Sequence, residues 1–524
     1  MIYLLSQLVD HSAERLPDRE AFRFGTQSIT FETMALRTNQ LAQLLAEQGV
    51  RRGDRVGVLM NRCFETAIAI HGILKAGAVF VPLAPFAPPS RTRFLLQDCD
   101  IRHVITEPSQ RISLDKILTT EVNLKSVIGI ADYSQVNSVS WDDVASLPGT
   151  SAPNVRILGH DLAYIMYTSG TTGVPKGIMH THYSGLSYAK LSADLYGLSE
   201  NDRVANHAAI HFDISTFGYF SAPLAGAATN ILSEAHTKFP ASLSKLLEDE
   251  QVTIWYSVPS ALSQLLQLGA LEQRDLGSLR WVLFGGEPFA PKHLRALMKL
   301  WPGARFSNVY GPAEVNQCTY YHVPDPPQTD EPLPLGVLWD DTEMIIVDDQ
   351  DRPVVEGSTG ELLIRSATMM QGYWGQPDLT RKAFFQRTRI PGFAETFYRT
   401  GDLVRLDEKG LLHFLGRRDR QIKTRGYRVE LDEVESAVVA HPAVEEAAAF
   451  PTVDTAGETL IEVTIIRKTG VLPLVDERTI RNHLQHHLPL YGIPQRITFA
   501  ESLPRTAAGK IDRNELQRKA IHSQ

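Results

Sequence analysis

The period of the hydrophobic pattern changes several times along the chain, and each change predicts an element. Residues 12–50 read as helix around a short extended stretch, Gln27–Phe31, after which apolar positions recur at helical spacing to Gln48. Short apolar runs then alternate with amphipathic ones. Arg55–Met60, Val79–Pro82 and His103–Thr106 predict strands, and Glu65–Lys75 and Ser90–Gln97 predict the helices between them. Apolar strands alternating with helices imply a parallel sheet covered by helices. The alternation resumes after residue 180. Strands are expected near Val204–Ala208 and at Thr253–Ser257, Arg280–Phe284 and Arg305–Val309. Helices are expected near Ser184–Ala193 and at Ser242–Glu250, Ser260–Leu268 and Pro291–Leu300. The first part of the chain therefore holds two α/β layers or one large one.

From about Pro332 the pattern becomes β-like. Glu343–Val347 and Gly360–Arg365 read as strands, and Leu403–Leu406 and Leu411–Leu415 flank Asp407–Gly410 as a hairpin. The charged run Arg417–Arg420 marks a boundary. Beyond it, helices at Leu431–His441 and Glu477–Leu488 and strands near Val444–Phe450 and Leu460–Ile466 predict a compact α+β domain. The expected fold class is α/β: a large N-terminal domain of layered α/β subdomains with a β-rich subdomain, then a small mobile α+β domain.

Composition narrows the function classes. With 524 residues the chain exceeds one ordinary core. At 43% apolar, 21% charged and net charge −8, it is globular and carries no basic footprint for nucleic acid. Cys63, Cys99 and Cys318 are far apart and form no disulfide framework, which fits a reducing cytoplasm. No signal peptide opens the chain, and no apolar run is long enough for a bilayer, so neither membrane nor nucleic acid is expected as a partner.

One loop carries chemistry of its own. Tyr167–Gly177 reads Tyr-Thr-Ser-Gly-Thr-Thr-Gly-Val-Pro-Lys-Gly between apolar runs. Glycines admit close backbone approach, hydroxyls add short donors and one lysine adds charge, a set suited to phosphate oxygens. It is not a Walker A loop, since Lys176 follows Pro175 and precedes Gly177. Taken alone, the loop reads first as a mobile polar surface segment, and the rest of the chain decides.

Four further segments follow it in order: Asn308–Glu314, Tyr398–Asp402, Gly416–Glu430 and Pro504–Arg513. Together the five resemble the adenylate-forming superfamily of acyl-CoA synthetases, luciferases and adenylation domains of nonribosomal peptide synthetases. Leu74–Leu83 and Phe212–Ser215 bring the resemblance nearest to the amino-acid adenylation branch. It implies an N-terminal adenylation core over residues 1–418 and a mobile C-terminal domain over 419–524. It also implies ATP and Mg²⁺ as cofactors.

The resemblance implies a role for each matched residue. Thr168, Ser169, Thr171, Thr172 and Lys176 would hold the β- and γ-phosphates. Lys510 would bridge the substrate carboxylate and the α-phosphate. Asp402 would accept the ribose hydroxyls, assisted by Arg417, and Tyr310 would stack on adenine. Asn308, Val309, Gly311 and the Gly285–Gly286–Glu287 turn would line the nucleotide, and Glu314 would hold Mg²⁺. Ala313 stands where the superfamily usually has threonine, so one hydroxyl near the α-phosphate is missing. Asp213 would pair with a substrate α-ammonium; as a residue pattern it also suits a helix N-cap. Phe212 would gate the thiol. The side-chain pocket would be Ile214, Phe217, Ser260, Leu283, Gly285, Val309, Gln317 and Cys318, none of them charged, so a neutral substrate side chain is expected, L-proline first.

For the second step the implied hinge is Asp419, with the Lys423–Glu430 loop and Gly426 lying against a pantetheine arm. No carrier domain is recognisable after Lys510, so the expected acceptor is the phosphopantetheine of a separate carrier protein. An acyl- or aryl-CoA synthetase is the alternative, and a catalytically silent binding protein with this fold is the alternative of another class. His180/His182 and His483/His486/His487 have loose metal-like spacing but lack carboxylate or cysteine partners, so no zinc site is expected.

Overall fold

Contacts divide the chain at Arg418/Asp419 in a computed structural model that describes residues 2–118, 122–170, 174–454, 457–468, 475–505 and 511–522. The smaller unit is 419–524 together with 86–94 and 168–176; the larger is the rest. The two short additions to the smaller unit depart from a single cut in the sequence. Among the described residues no helix is long and apolar enough to cross a membrane.

The larger unit is built on two wide sheets and a smaller one. The first has nine strands, in spatial order Val337–Leu338, Thr319–Val323, Arg305–Tyr310, Trp281–Gly285, Ile254–Ser257, Arg203–Asn206, Ala228–Ile231, Glu20–Phe24 and Gln27–Thr30. From Arg305–Tyr310 to Glu20–Phe24 neighbours run parallel. The second has eight strands, with Leu162–Thr168, Val79–Pro82, Arg55–Leu59, His103–Thr106, Ser126–Ile128 and Asn137–Val139 in order on one side of Lys176–Thr181. The two α/β layers are thus separate sheets. Strands such as Val79–Pro82 and Ile254–Ser257 are buried at every residue, as parallel strands covered on both faces must be.

The helices follow local signals. Phe31–Glu47 starts where the Thr30 hydroxyl accepts from the Thr33 N–H, and buries Met34, Leu41, Ala42 and Leu45 on one face. His182–Tyr196 is capped by Thr181 and ends at Gly197, whose φ is +55°. The β-rich part pairs Thr342–Val347, Gly360–Ser366, Phe393–Leu406 and Phe384–Ile390 antiparallel, with Leu412–Arg417 on Phe393–Leu406.

The smaller unit has its own core of Val434, Val438, Ala449, Ile461, Ile465 and Ile480. Helices Leu431–Val439 and Glu477–Leu484 and a third, Arg513–His522, accompany the three-stranded sheet. The third strand, Arg496–Ala500, runs parallel to Thr459–Arg467. Its burial alternates with exposed Arg496, Thr498 and Ala500, too weak a pattern to read from sequence.

Candidate active site

The strand Arg305–Tyr310 is the axis of the site. Its last two side chains point to opposite faces, as the strand period requires. Val309 joins Phe217, Leu283, Tyr256, Tyr188 and Trp339, with Ile214 packed against them. Tyr310 joins a different cluster with Val315, Leu362 and Tyr398. One strand end therefore serves two surfaces.

On the Tyr310 side, the candidate ribose residues meet. The Tyr310 hydroxyl donates to Asp402 Oδ2 and Arg417 donates to Asp402 Oδ1. Asp402 and Arg417 lie opposite each other on antiparallel strands. Burial, with the charge of Asp402, pushes the Tyr310 phenol well above its ordinary range, so it remains a donor. A carboxylate offers about four lone-pair positions, so two bonds leave capacity for a vicinal diol. Asn308 is engaged elsewhere: its amide donates to the Pro334 carbonyl at 2.9 Å.

The turn after Tyr310 is fixed carbonyl by carbonyl. Gly311 opens it, and the Val315 N–H donates to the Pro312 carbonyl. Ala313 accepts from His180 Nε2 at 2.9 Å, Glu314 from the Met370 N–H at 2.7 Å, and Val315 from the Thr368 hydroxyl at 2.6 Å. The Glu314 side chain is fully buried, and one oxygen accepts from the Tyr373 hydroxyl at 2.8 Å. His180 is stacked on Tyr164 at 4.8 Å between ring centroids, and burial pushes its pKa down to about 4. Among the described residues no three His, Cys, Asp or Glu side chains form a metal cluster. A lone carboxylate of this kind fits a magnesium ion that keeps its water and phosphate ligands, and does not fit a closed protein cage.

On the Val309 side, Asp213 begins a short 3₁₀ turn, Asp213–Ser215. The N-cap of that turn is Phe212, which gives no side-chain cap, and the Asp213 carboxylate accepts from the Ile214 N–H at 2.9 Å. Asp213 is half-buried. Burial raises the phenols of Tyr164, Tyr188 and Tyr256, and the Asp213 charge adds to that effect. A wide π turn, Phe217–Ser221, follows and turns Phe217 into the aromatic cluster. Phe212 lies against His211, ring centroids 4.4 Å apart.

Two expected pocket residues make contacts outside the Val309 cluster. Ser260 lies in the first turn of the helix Pro259–Leu268, and its N–H donates to Glu287 Oε1 at 2.8 Å, so the Glu287 carboxylate takes up one orphan donor of that helix start. Cys318 is buried in the Tyr310 cluster, not with Phe217. Tyr256, near the end of its strand, was not foreseen. Its hydroxyl accepts from Gln317 Nε2 and lies 3.7 Å from where a Cβ on Gly285 would stand. A Cβ at Gly285 would also come within 2.2 Å of the Val309 carbonyl, so only glycine permits this strand spacing. Gly286 follows with φ +95°. Tyr256 was detectable: residues at the carboxyl ends of parallel strands face the crevice of such a sheet.

Comparison with known proteins decides the family. Residues 9–374 match the model described as AMP-binding enzyme, and 433–510 match the AMP-binding enzyme C-terminal domain. The chain belongs to the AMP-binding enzyme family. It is 33% identical, over 98% of its length and 99% of the relative's, to an L-proline--[L-prolyl-carrier protein] ligase of Pseudomonas fluorescens. It is 32% identical over 98% of its length to tyrocidine synthase 2 of Brevibacillus parabrevis, of which it spans 14%. Among solved structures, the Vibrio cholerae adenylation domain AlmE in complex with glycyl-adenosine-5′-phosphate shares 25% identity. That pair has a TM-score of 0.85 and covers 100% of this chain and 98% of the other.

In this AMP-binding enzyme the remaining candidates fall in the smaller unit. Thr171, Thr172 and Lys510 lie outside the described residues. Lys176 is 8% exposed at the start of its strand. The buried Thr168 hydroxyl has no hydrogen-bond partner among the described residues, and Ser169 donates to the Arg428 carbonyl at 3.0 Å. An orphaned buried hydroxyl in this loop fits a phosphate oxygen as its missing acceptor. Gly426 has φ +77° and Arg425 φ +51°, the two central residues of the turn between Gln421–Thr424 and Tyr427–Glu430. Two positive φ values make a type I′ turn, which needs glycine there. Asp419 Oδ1 accepts from the Gln421 N–H at 3.2 Å.

Proposed function

We propose that this enzyme activates a neutral α-amino acid, with L-proline the first candidate, and loads it onto the phosphopantetheine thiol of a separate carrier protein. In the first step a carboxylate oxygen attacks the α-phosphorus of ATP, and the bond to pyrophosphate breaks. In the second the thiolate attacks the acyl carbon, and AMP leaves. Magnesium, held by Glu314, would neutralise phosphate charge. The Asp402 carboxylate would take the ribose hydroxyls, and Thr168, Ser169, Thr171, Thr172 and Lys176 the terminal phosphates. Lys510 would stabilise charge at the α-phosphate.

The reading rests on Asp213. A half-buried carboxylate whose charge reaches three buried phenols, beside a cluster of aromatic and aliphatic side chains, supplies a counter-charge for an ammonium. Similarity to a prolyl-carrier ligase supports the same substrate class. The test is amino-acid-dependent ATP–pyrophosphate exchange over amino acids and aryl acids. Exchange is expected with small neutral amino acids, proline foremost. Exchange only with acids lacking an α-amino group would overturn the proposal.

The hinge is testable apart from the first step. Arg418 is anchored to the larger unit, its N–H donating to the Gly401 carbonyl and its guanidinium to Glu361 at 2.8 Å. Arg420 is anchored to the smaller unit through Asp432, Glu435 and the Ala449 carbonyl. Asp419 alone stands between these anchors. Proline there fixes φ and also restricts Arg418. Asp419→Pro is expected to leave pyrophosphate exchange within about twofold and to slow thioester formation about tenfold or more, as loss of a hinge motion does. Undiminished thioester formation would remove Asp419 from the role.

A further inference from the structure

The turn that carries Glu314 has one support not explained by folding alone. Pro312 gives its carbonyl to the local Val315 N–H, and Glu314 and Val315 give theirs to the Met370 N–H and the Thr368 hydroxyl. Ala313 instead receives a side chain from a distant strand, the buried imidazole of His180, 133 residues away in sequence. A carbonyl only accepts, so His180 Nε2 carries the proton. Nδ1 can then accept from the Ser184 hydroxyl, 3.3 Å away. The ring is also clamped face to face on Tyr164, with 19° between planes. Its orientation is therefore set on three sides, and its one donor is spent on the peptide that precedes Glu314.

We infer that His180 is a positioning residue: its Nε2–H holds the Ala313 carbonyl and so aims the Glu314 carboxylate at the metal–triphosphate. The inference rests on the proposed role of Glu314 as the magnesium ligand. The 313–314 peptide plane sets the direction in which the Glu314 side chain leaves the turn. Its buried carboxylate has one oxygen tied to Tyr373, and a rotation of that plane would shift the whole group. Ala313 brings no hydroxyl of its own to the turn, so the imidazole is the side-chain contact made with this residue's backbone by a titratable group. Loss of the donor leaves a buried carbonyl unpaired and free to turn toward another partner.

Two replacements separate aiming from packing. His180→Phe keeps a ring on Tyr164 and removes the donor. His180→Gln gives up the ring and places an amide N–H near the position of Nε2. ATP binding is measured by calorimetry with and without Mg²⁺, and pyrophosphate exchange is titrated with Mg²⁺ at fixed ATP. His180→Phe is expected to weaken ATP binding several-fold in the presence of Mg²⁺ and leave it unchanged without. It should also need several-fold more Mg²⁺ for half-maximal exchange, with an unaltered KM for the amino acid. His180→Gln is expected to restore most of both. Should His180→Phe fail to fold, His180→Asn, whose amide is too short to reach Ala313, is expected to show the same magnesium defect. The inference is overturned by a donor-less variant with wild-type magnesium dependence, by His180→Gln as impaired as His180→Phe, or by equal weakening with and without Mg²⁺. If the wild type binds Mg²⁺–ATP but exchanges pyrophosphate with no acid, the proposed function fails and the calorimetry still decides the role of His180.

Discussion

Asp213→Asn is expected to collapse amino-acid activation while ATP binding survives. The substitution keeps the shape of the side chain and removes its charge. Truncating one partner of a desolvated, hydrogen-bonded charge pair costs about 2–5 kcal/mol. At about 1.4 kcal/mol per decade that is roughly 30- to 5,000-fold in kcat/KM. The phenols that feel its charge sharpen the expectation. Tyr164, Tyr188 and Tyr256 are kept protonated by burial and by the Asp213 charge, so they can donate to a carboxylate but cannot replace its charge toward an ammonium. The decisive measurement compares the preferred amino acid with its analogue lacking the α-amino group. The wild type should reject the analogue and Asp213→Asn should scarcely distinguish the two. A variant that still discriminates strongly would move ammonium recognition to another residue.

Asp402→Ala is expected to damage both nucleotide recognition and the fold. Asp402 is 4% exposed and holds both the Tyr310 hydroxyl and Arg417. Breaking a buried ion pair by removing one partner costs about 3–5 kcal/mol, so the melting temperature should fall clearly. The nucleotide effect is separable with 2′,3′-dideoxy-ATP. The wild type should bind it far more weakly than ATP, whereas the variant should treat the two alike. A variant that still prefers ATP as strongly as the wild type would show that the ribose is read elsewhere, whatever the loss of stability.

How far the sequence could be read depended on burial. Strands enclosed on both faces, such as Val79–Pro82 and Trp281–Gly285, announce themselves as unbroken apolar runs. Ala228–Ile231 is equally enclosed but reads Ala-Thr-Asn-Ile, because Thr229 is buried by donating to the Gly218 carbonyl. Hydropathy cannot see a polar side chain satisfied by a distant backbone group. The same limit acted at the site. Short motifs single out Asp402 and Arg417, which lie opposite each other on paired strands, and Tyr310, whose hydroxyl meets Asp402 from another sheet. Where motifs thin out, the pocket reading names Ser260 and passes over Tyr256, four positions earlier, which stands with the aromatic wall. The strand ends at Ser257 and the helix begins at Pro259, so the two positions lie on either side of a change from one period to another. Cys318 and Gln317 differ by one residue and go to different sides.

The opposed side chains at the end of Arg305–Tyr310 have a consequence for how the protein can change. On the proposed reading, a substitution at Val309 alters the wall that would meet the acid and leaves Tyr310 and its carboxylate partner untouched, so substrate preference can drift while the energy-yielding half of the machine stays constant. An inserted or deleted residue in that strand does the reverse. It exchanges the two faces at a stroke, and no single compensating mutation restores either. Lineages descended from such a chain should therefore diversify by point replacement beside this strand and be purged of length variants within it.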